Sequence, residues 1–219
     1  GDENNDGAND SGAVYVFHRS GQSWEQQAYL KASNSDAADR FGLSLSLSGD
    51  TLAVGALSED SSARGVGGDE SDNGATDSGA VYVFHRSEQN WQQQAYLKAS
   101  NSEENDLFGT SVSLYGDTLA VGASEEDSSA RGVDGGESDN GVENSGAVYM
   151  FHRSGQSWEQ RAYLKASNTG VADAFGRSVS LSGDALVVGA SSEDGSARGI
   201  DGNENGDGLS ASGAIYVFQ

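Results

Sequence analysis

The chain reads as an all-β array of four-stranded antiparallel blades, of the β-propeller type, built on a 67-residue repeat that does not close into a ring. Three observations lead there. The sequence repeats at a fixed period. Each period holds four short apolar runs with strand periodicity. The inner runs are apolar or small on both faces, as strands covered on both sides must be.

The period is set by Ser11–Ser20, SGAVYVFHRS, which returns at Ser78, returns as SGAVYMFHRS at Ser145, and returns truncated as SGAIYVFQ at Ser212. Trp24, Trp91 and Trp158 keep the spacing, as do Phe41-Gly42, Phe108-Gly109 and Phe175-Gly176. Ala28, Ala95 and Ala162 each open AYLKASN. The first two full units agree at about three quarters of positions without a gap. The 219 residues are three units and an 18-residue overhang, so Gly1–His18 and Gly202–Gln219 share one repeat phase.

Within a unit the first run, Phe108 to Leu114, alternates Ser111 and Ser113 with Val112 and Leu114. Gly116-Asp117 then supplies a tight turn, with Gly at its first central position. The second run is Thr118 to Ala123, and a long acidic loop follows it. The third, Ala147 to Phe151, is apolar on both faces. The fourth, Trp158 to Ala166, is expected to place Trp158, Gln160, Ala162, Leu164 and Ala166 on one side. Glu159, Arg161, Tyr163 and Lys165 then fall on the other, which makes a more polar outer strand. This divides the chain into a partial blade over 1–40 (third and fourth strands), full blades over 41–107 and 108–174, and a partial blade over 175–219 (first three strands). A β-solenoid is the runner-up, but 67 residues is long for a solenoid coil. The absence of helix caps and of a 3.6-residue period disfavours an α-solenoid.

Composition narrows the function. Asp and Glu number 34 against 12 Lys and Arg, for a net charge of −22, with 31 Gly, no Pro and no Cys. No Cys means no disulfide framework, no thiolate zinc site and no Cys nucleophile. The charge argues against nucleic acid and anionic membrane surfaces, and no apolar run is long enough to span a bilayer. The chain begins without Met or a leader-like segment, which reads as a processed or excised piece. So much charge with so few apolar residues is also a signature of disorder, but the regular repeat argues against that.

Phe-Gly opening the first strand and Gly-Ala closing the second (Gly55-Ala56, Gly122-Ala123, Gly189-Ala190) resemble the FG-GAP repeat, over essentially the whole chain. That family builds the propeller of integrin α subunits and of many bacterial extracellular proteins. The resemblance therefore implies an extracellular or cell-surface, calcium-stabilised structural or adhesive module. Two departures stand out. Leu57, Ser124 and Ser191 replace the family's Pro after Gly-Ala, and the acidic loop lies after Gly-Ala rather than between the Phe-Gly and Gly-Ala strands.

The acidic loop is the candidate calcium site. Asp2, Asn4, Asp6, Gly7, Ala8 and Asp10 fit D-x-[DN]-x-[DN]-G-x-x-D. Alternate side chains of such a loop offer hard oxygens, Gly permits the sharp turn, and Ala8 offers its carbonyl. The later copies lose carboxylates. They are Asp69, Ser71, Asn73 and Asp77; then Gly136, Ser138, Asn140 and Asn144 with Asp139 beside them; then Asn203, Asn205, Asp207 and Ala211. Each loop also carries Glu-Asp-x-Ser-Ala-Arg-Gly, namely Glu59-Asp60 with Arg64, Glu126-Asp127 with Arg131, and Glu193-Asp194 with Arg198. Either the acidic pair adds metal ligands, or the Arg pins the loop through a bidentate carboxylate contact. The alternative to any metal is a solvated Gly/Asp/Ser loop.

His18, His85 and His152 lie one repeat apart, so convergence on zinc is not expected. The three Trp are expected between blades rather than at a ligand. The Asn9-Asp10-Ser11 sequon lies inside the best calcium loop and is discounted. Carboxylates that recur in every copy behave as scaffold, so no enzyme is expected. The overhang leaves two outcomes: a window on a longer array, or ends that complete a blade of a neighbouring chain. The expected partners are other copies or adjacent repeats, with an extracellular glycan or protein ligand as the alternative.

Overall fold

The computed structural model describes residues 7–206 and 208–219. Among these residues are thirteen strands and no helix. β1 (Val14–Ser20) and β2 (Ser23–Leu30) form a two-stranded sheet. β3 (Ser44–Ser48), β4 (Thr51–Ala56), β5 (Ala80–Ser87) and β6 (Asn90–Leu97) form the first complete blade. The second complete blade comprises β7 (Phe108–Tyr115), β8 (Thr118–Ala123), β9 (Ala147–Ser154) and β10 (Ser157–Leu164). β11 (Phe175–Ser182), β12 (Ala185–Ala190) and β13 (Ala214–Phe218) form a three-stranded sheet. Every pairing within the sheets is antiparallel and follows chain order, and no sheet closes. The architecture is an open array of propeller-type blades. No helix here is long and apolar enough to cross a membrane.

The blades stack with two unlike faces. In β3, Ser44, Ser46 and Ser48 point forward, toward the next blade. Ser46 Oγ accepts from the Leu114 amide at 2.9 Å, and Ser44 Oγ donates to the Gly109 carbonyl at 2.7 Å. Ser113 and Ser111 of β7 repeat these bonds to Leu181 and Gly176. The large apolar side chains point backward. Val112, Leu114, Leu119, Val121, Tyr149 and Phe151 pack on Ala53, Val81 and Val83 of the preceding blade. The serine faces leave room for this and satisfy backbone groups that the stacking would otherwise bury.

Gly-Ala and Ser-Gly-Ala follow from the same contact. A Cβ on Gly122 would stand 2.0 Å from the Gly176 carbonyl oxygen of the next blade. A Cβ on Gly146, whose φ is +80°, would stand 2.1 Å from the Phe175 carbonyl oxygen. Both positions need glycine for close backbone approach, and Gly146 also for its left-handed φ.

The fourth strand departs from the expected alternation. In β10, Gln160 pairs with Phe151 and Ala162 with Met150, so Arg161 is an extra, bulged residue. Gln94 and Gln27 hold the same place in β6 and β2. A bulge inverts the phase of the residues after it. Trp158 and Tyr163 therefore share the backward core, while Ala162, Leu164 and Ala166 pack forward. Tyr163 and Lys165, expected on the polar side, are buried. The inter-blade place expected for Trp holds for Trp158, which is 5% exposed. Trp91 is half-buried, and Trp24 is 67% exposed, with no blade behind it among the described residues.

Candidate functional site

Beneath the acidic loop of each complete blade lies a buried polar cluster. Glu126 accepts from Lys165 Nζ at 2.7 Å, Tyr163 Oη at 2.8 Å and Asn101 Nδ2 at 2.9 Å. Lys165 also donates to Ser145 Oγ at 2.6 Å. The first blade repeats this. Glu59 accepts from Lys98 at 2.9 Å, Tyr96 at 2.8 Å and Asn34 at 3.0 Å, and the Ser61 amide adds a fourth bond at 3.1 Å. Asn34 and Asn101 come from the preceding repeat, so each cluster also ties two blades together. Burial pulls the Lys98 and Lys165 ammonium groups down from their usual range, and the paired glutamates oppose that. A buried charge is tolerable only when paired and fully hydrogen-bonded, as these are.

Glu59 and Glu126 are thus taken up inside the blade. Glu193 accepts from Asn168 Nδ2 at 3.0 Å and the Gly195 amide at 2.8 Å. The aspartates beside them close the loops: Asp60 accepts from the Asp77 amide, Asp127 from Asn144 and Asp194 from Ala211, at 2.8, 2.6 and 2.7 Å. Arg64 lies 3.8 Å from Glu103 in the following linker, with both side chains exposed, rather than against a carboxylate of its own loop.

Of the first calcium motif, Asp2, Asn4 and Asp6 lie outside the described residues, as does Asp207 of the fourth. The second motif is hydrogen-bonded within itself and to the preceding linker. Asp69 accepts from the Ser71 amide and hydroxyl, while Asn73 donates to Asp36 of the preceding linker at 3.0 Å. In the third, Asp139 accepts from the Ser129 and Gly141 amides, and Asn140 donates to Glu103 at 2.6 Å. In the fourth, Asn203 accepts from the Asn205 amide. Asp10, Asp77, Asn144 and Ala211, the last position of each motif, all have left-handed backbone. The carbonyls of Asp10, Asp77 and Asn144 accept from the Arg40, Leu107 and Ala174 amides at the start of the next blade. That role is carried by the main chain.

Sequence reasoning missed Asp39, Asp106 and Asp173, although all three stand two residues before Phe-Gly. Burial, then the charges of Glu126, Glu103 and Asp127, push the Asp106 carboxyl up to about 7. Asp39 is raised to about 6, first by burial and then by Glu59, Asp36 and Asp60. Asp106 lines a cleft of about 410 Å³ with Arg64, Glu103, Glu104, Asp127 and Asn140. Its carboxylate and amide oxygens are hard donors of the kind calcium takes. Among the described residues, no three His, Cys, Asp or Glu side chains converge at metal-ligating distance.

A search of curated proteins returns no match. The family model described as FG-GAP repeat matches residues 24–84, 91–151 and 158–218. Each match begins at the Trp of one fourth strand and runs to a Phe within the next third strand, so it spans the inter-blade contact that Phe-Gly and Gly-Ala make. Three consecutive matches over most of the sequence, together with the stacked four-stranded blades, establish that the chain belongs to the FG-GAP repeat family.

Proposed function

We propose that the chain is a segment of an extracellular, calcium-stabilised structural and adhesive module whose end faces stack on further blades of the same kind. The supporting observation is the contrast between its inner and outer faces. Val81 and Val83 are buried against the next blade, while their counterparts Ile215 and Val217 are 73% and 61% exposed. Leu45 and Leu47, counterparts of the buried Val112 and Leu114, are exposed at the opposite end, as are Tyr15 and Phe17. One end therefore offers a serine face and the other the leucine face that fits it. Apolar surface of this extent marks an interaction site.

Calcium would act in the acidic loops, relieving the repulsion among carboxylates such as Glu103, Asp106 and Asp127. The extracellular setting rests on the family's usual location, and the adhesive role on the kind of module its repeats form. Thermal melts with calcium and with chelator, paired with light scattering, test the reading. Calcium at about 100 times its dissociation constant should add about 2.7 kcal/mol per site. An unchanged melt would remove calcium from the proposal, and a monomer at every concentration would remove the stacking.

A further inference from the structure

In each complete blade a lysine amine and an asparagine amide meet on one carboxylate. Lys165 Nζ donates to Glu126 Oε2 at 2.7 Å, and Asn101 Nδ2 donates to Glu126 Oε1 at 2.9 Å. In the first blade, Lys98 Nζ donates to Glu59 Oε2 at 2.9 Å and Asn34 Nδ2 to Glu59 Oε1 at 3.0 Å. The amide is fixed on its other sides as well. Asn101 Oδ1 accepts from Tyr149 Oη at 2.5 Å, and Asn34 Oδ1 from Tyr82 Oη at 2.5 Å. Asn101 Nδ2 also donates to the Glu137 carbonyl at 2.9 Å, and Asn34 Nδ2 to the Glu70 carbonyl at 2.6 Å. The lysines, glutamates and tyrosines are buried, and the asparagines are half-buried.

Charge pairing accounts for Lys165 beside Glu126. It does not account for an amide carbonyl polarised by a buried phenol, with its nitrogen on the same carboxylate as the amine. Those are the parts of an acyl transfer. Lysine is the nucleophile, the asparagine Cγ the electrophile, tyrosine the donor to the developing oxyanion, and glutamate the proton carrier. Burial removes the water that would hold the ammonium and carboxylate charged, so moving a proton from Nζ to the glutamate costs little there. Holding both nitrogens on one carboxylate removes the entropy cost of bringing them together.

We infer that each complete blade closes an intramolecular isopeptide bond, Lys98 to Asn34 in the first and Lys165 to Asn101 in the second. The inference is independent of calcium and of stacking on further blades. Glu126 takes one proton from the Lys165 ammonium, and the Nζ lone pair forms a bond to Asn101 Cγ. The Cγ–Nδ2 bond then breaks, its electron pair leaving with the nitrogen, and ammonia departs from the half-buried asparagine to solvent. Of the three Nζ protons, one stays on the new amide, one leaves on the ammonia and one remains on Glu126. The buried ion pair is thereby replaced by neutral groups, and no oxidant or cofactor is consumed. Asn34 and Asn101 lie in the linkers before β3 and β7, and Lys98 and Lys165 follow β6 and β10. Each bond therefore encloses all four strands of a blade in a covalent ring, which restricts the unfolded chain as a disulfide would.

Mass spectrometry of the denatured whole chain, followed by peptide mapping, tests this, with circular dichroism beforehand to verify the fold. The chain should be lighter than its sequence by about 34 Da, one ammonia for each blade. Mapping should recover two branched peptides, one joining Asn34 to Lys98 and one joining Asn101 to Lys165. Asn101→Ala and Glu126→Gln should each lose the second branch and keep the first, so the first blade serves as the internal control. A folded chain at its full sequence mass would overturn the inference. So would ammonia loss without a branched peptide, because a succinimide at Asn73-Gly74 or Asn140-Gly141 sheds the same mass. A second branch that survives in Glu126→Gln would overturn the proton-carrying role of the glutamate. If a variant fails to fold, the peptide map of the unmodified sequence still decides whether the bonds exist.

Discussion

Lys165 and Glu126 show how much one side chain decides here. Removing the ammonium leaves a carboxylate buried and unpaired, so Lys165→Met should destabilise the chain by about 3–5 kcal/mol in denaturant unfolding. Adding Glu126→Gln to that variant should recover part of the loss, because Gln can still accept from Tyr163 and Asn101 without burying a charge. A second substitution that deepened the loss would contradict the pairing. Asp106 makes a pH prediction. Its folded pKa, about 7, stands above the ordinary carboxylate value of 3.8, so the native state holds the proton more tightly. This group therefore favours the fold at low pH, and the contribution is lost as pH rises through about 7. In chelator, Asp106→Asn keeps an acceptor for the Glu103 amide. It should raise Tm near pH 8 and leave it unchanged near pH 3.5. Equal shifts at both would refute the assignment.

At the scale of the element, the outer strand is decided by its bulge. The sequence pattern of β10 alternates cleanly, and nothing in it marks Arg161 as the extra residue. The bulge is favoured because it turns Tyr163 and Lys165 onto Glu126 while Trp158 stays in the core. The inner strands are decided by close approach. Gly122→Ala places a methyl against the Gly176 carbonyl and should cost about 1–3 kcal/mol through overpacking. Calorimetry would read this as a lower Tm, and an unchanged Tm would mean that the blades do not stack as closely as described. The hairpin turns were legible beforehand. Gly116, at φ +58°, takes the first central position, and the Asp117 carboxylate accepts from Arg153 Nε at 2.7 Å.

For the whole molecule, the two ends are the informative surfaces. A Cβ on Gly189 would come close to the Ser178 hydroxyl, at 2.5 Å, with other Ser178 atoms at 3.8 Å or more, whereas its counterpart on Gly122 would strike backbone at 2.0 Å. Gly189→Ala should therefore leave the melt of the isolated chain within about 1 kcal/mol while it blocks a further blade from stacking. Light scattering of that variant should show monomers under conditions where the parent chain associates, and undiminished association would argue against the serine face as the contact. The −22 charge belongs to this scale as well. Part of it lies in buried or hydrogen-bonded carboxylates that close the loops, and part on loop rims and linkers, such as Glu103, near which calcium is proposed.

The sequence by itself determined the period, the four strands of each unit, the turn at Gly116-Asp117 and the family. Each of these follows from local periodicity or from backbone demands that only certain residues meet. Tertiary structure decided which carboxylates face inward. Glu59 and Asp69 look alike as letters in one acidic loop, yet Glu59 lies under the loop beside Lys98, and Asp69 sits at its surface beside Ser71. That difference depends on a lysine 39 residues away and on a bulge that turns it inward. Local pattern carries no information about a contact made across a blade, so the buried pairs became visible only in three dimensions.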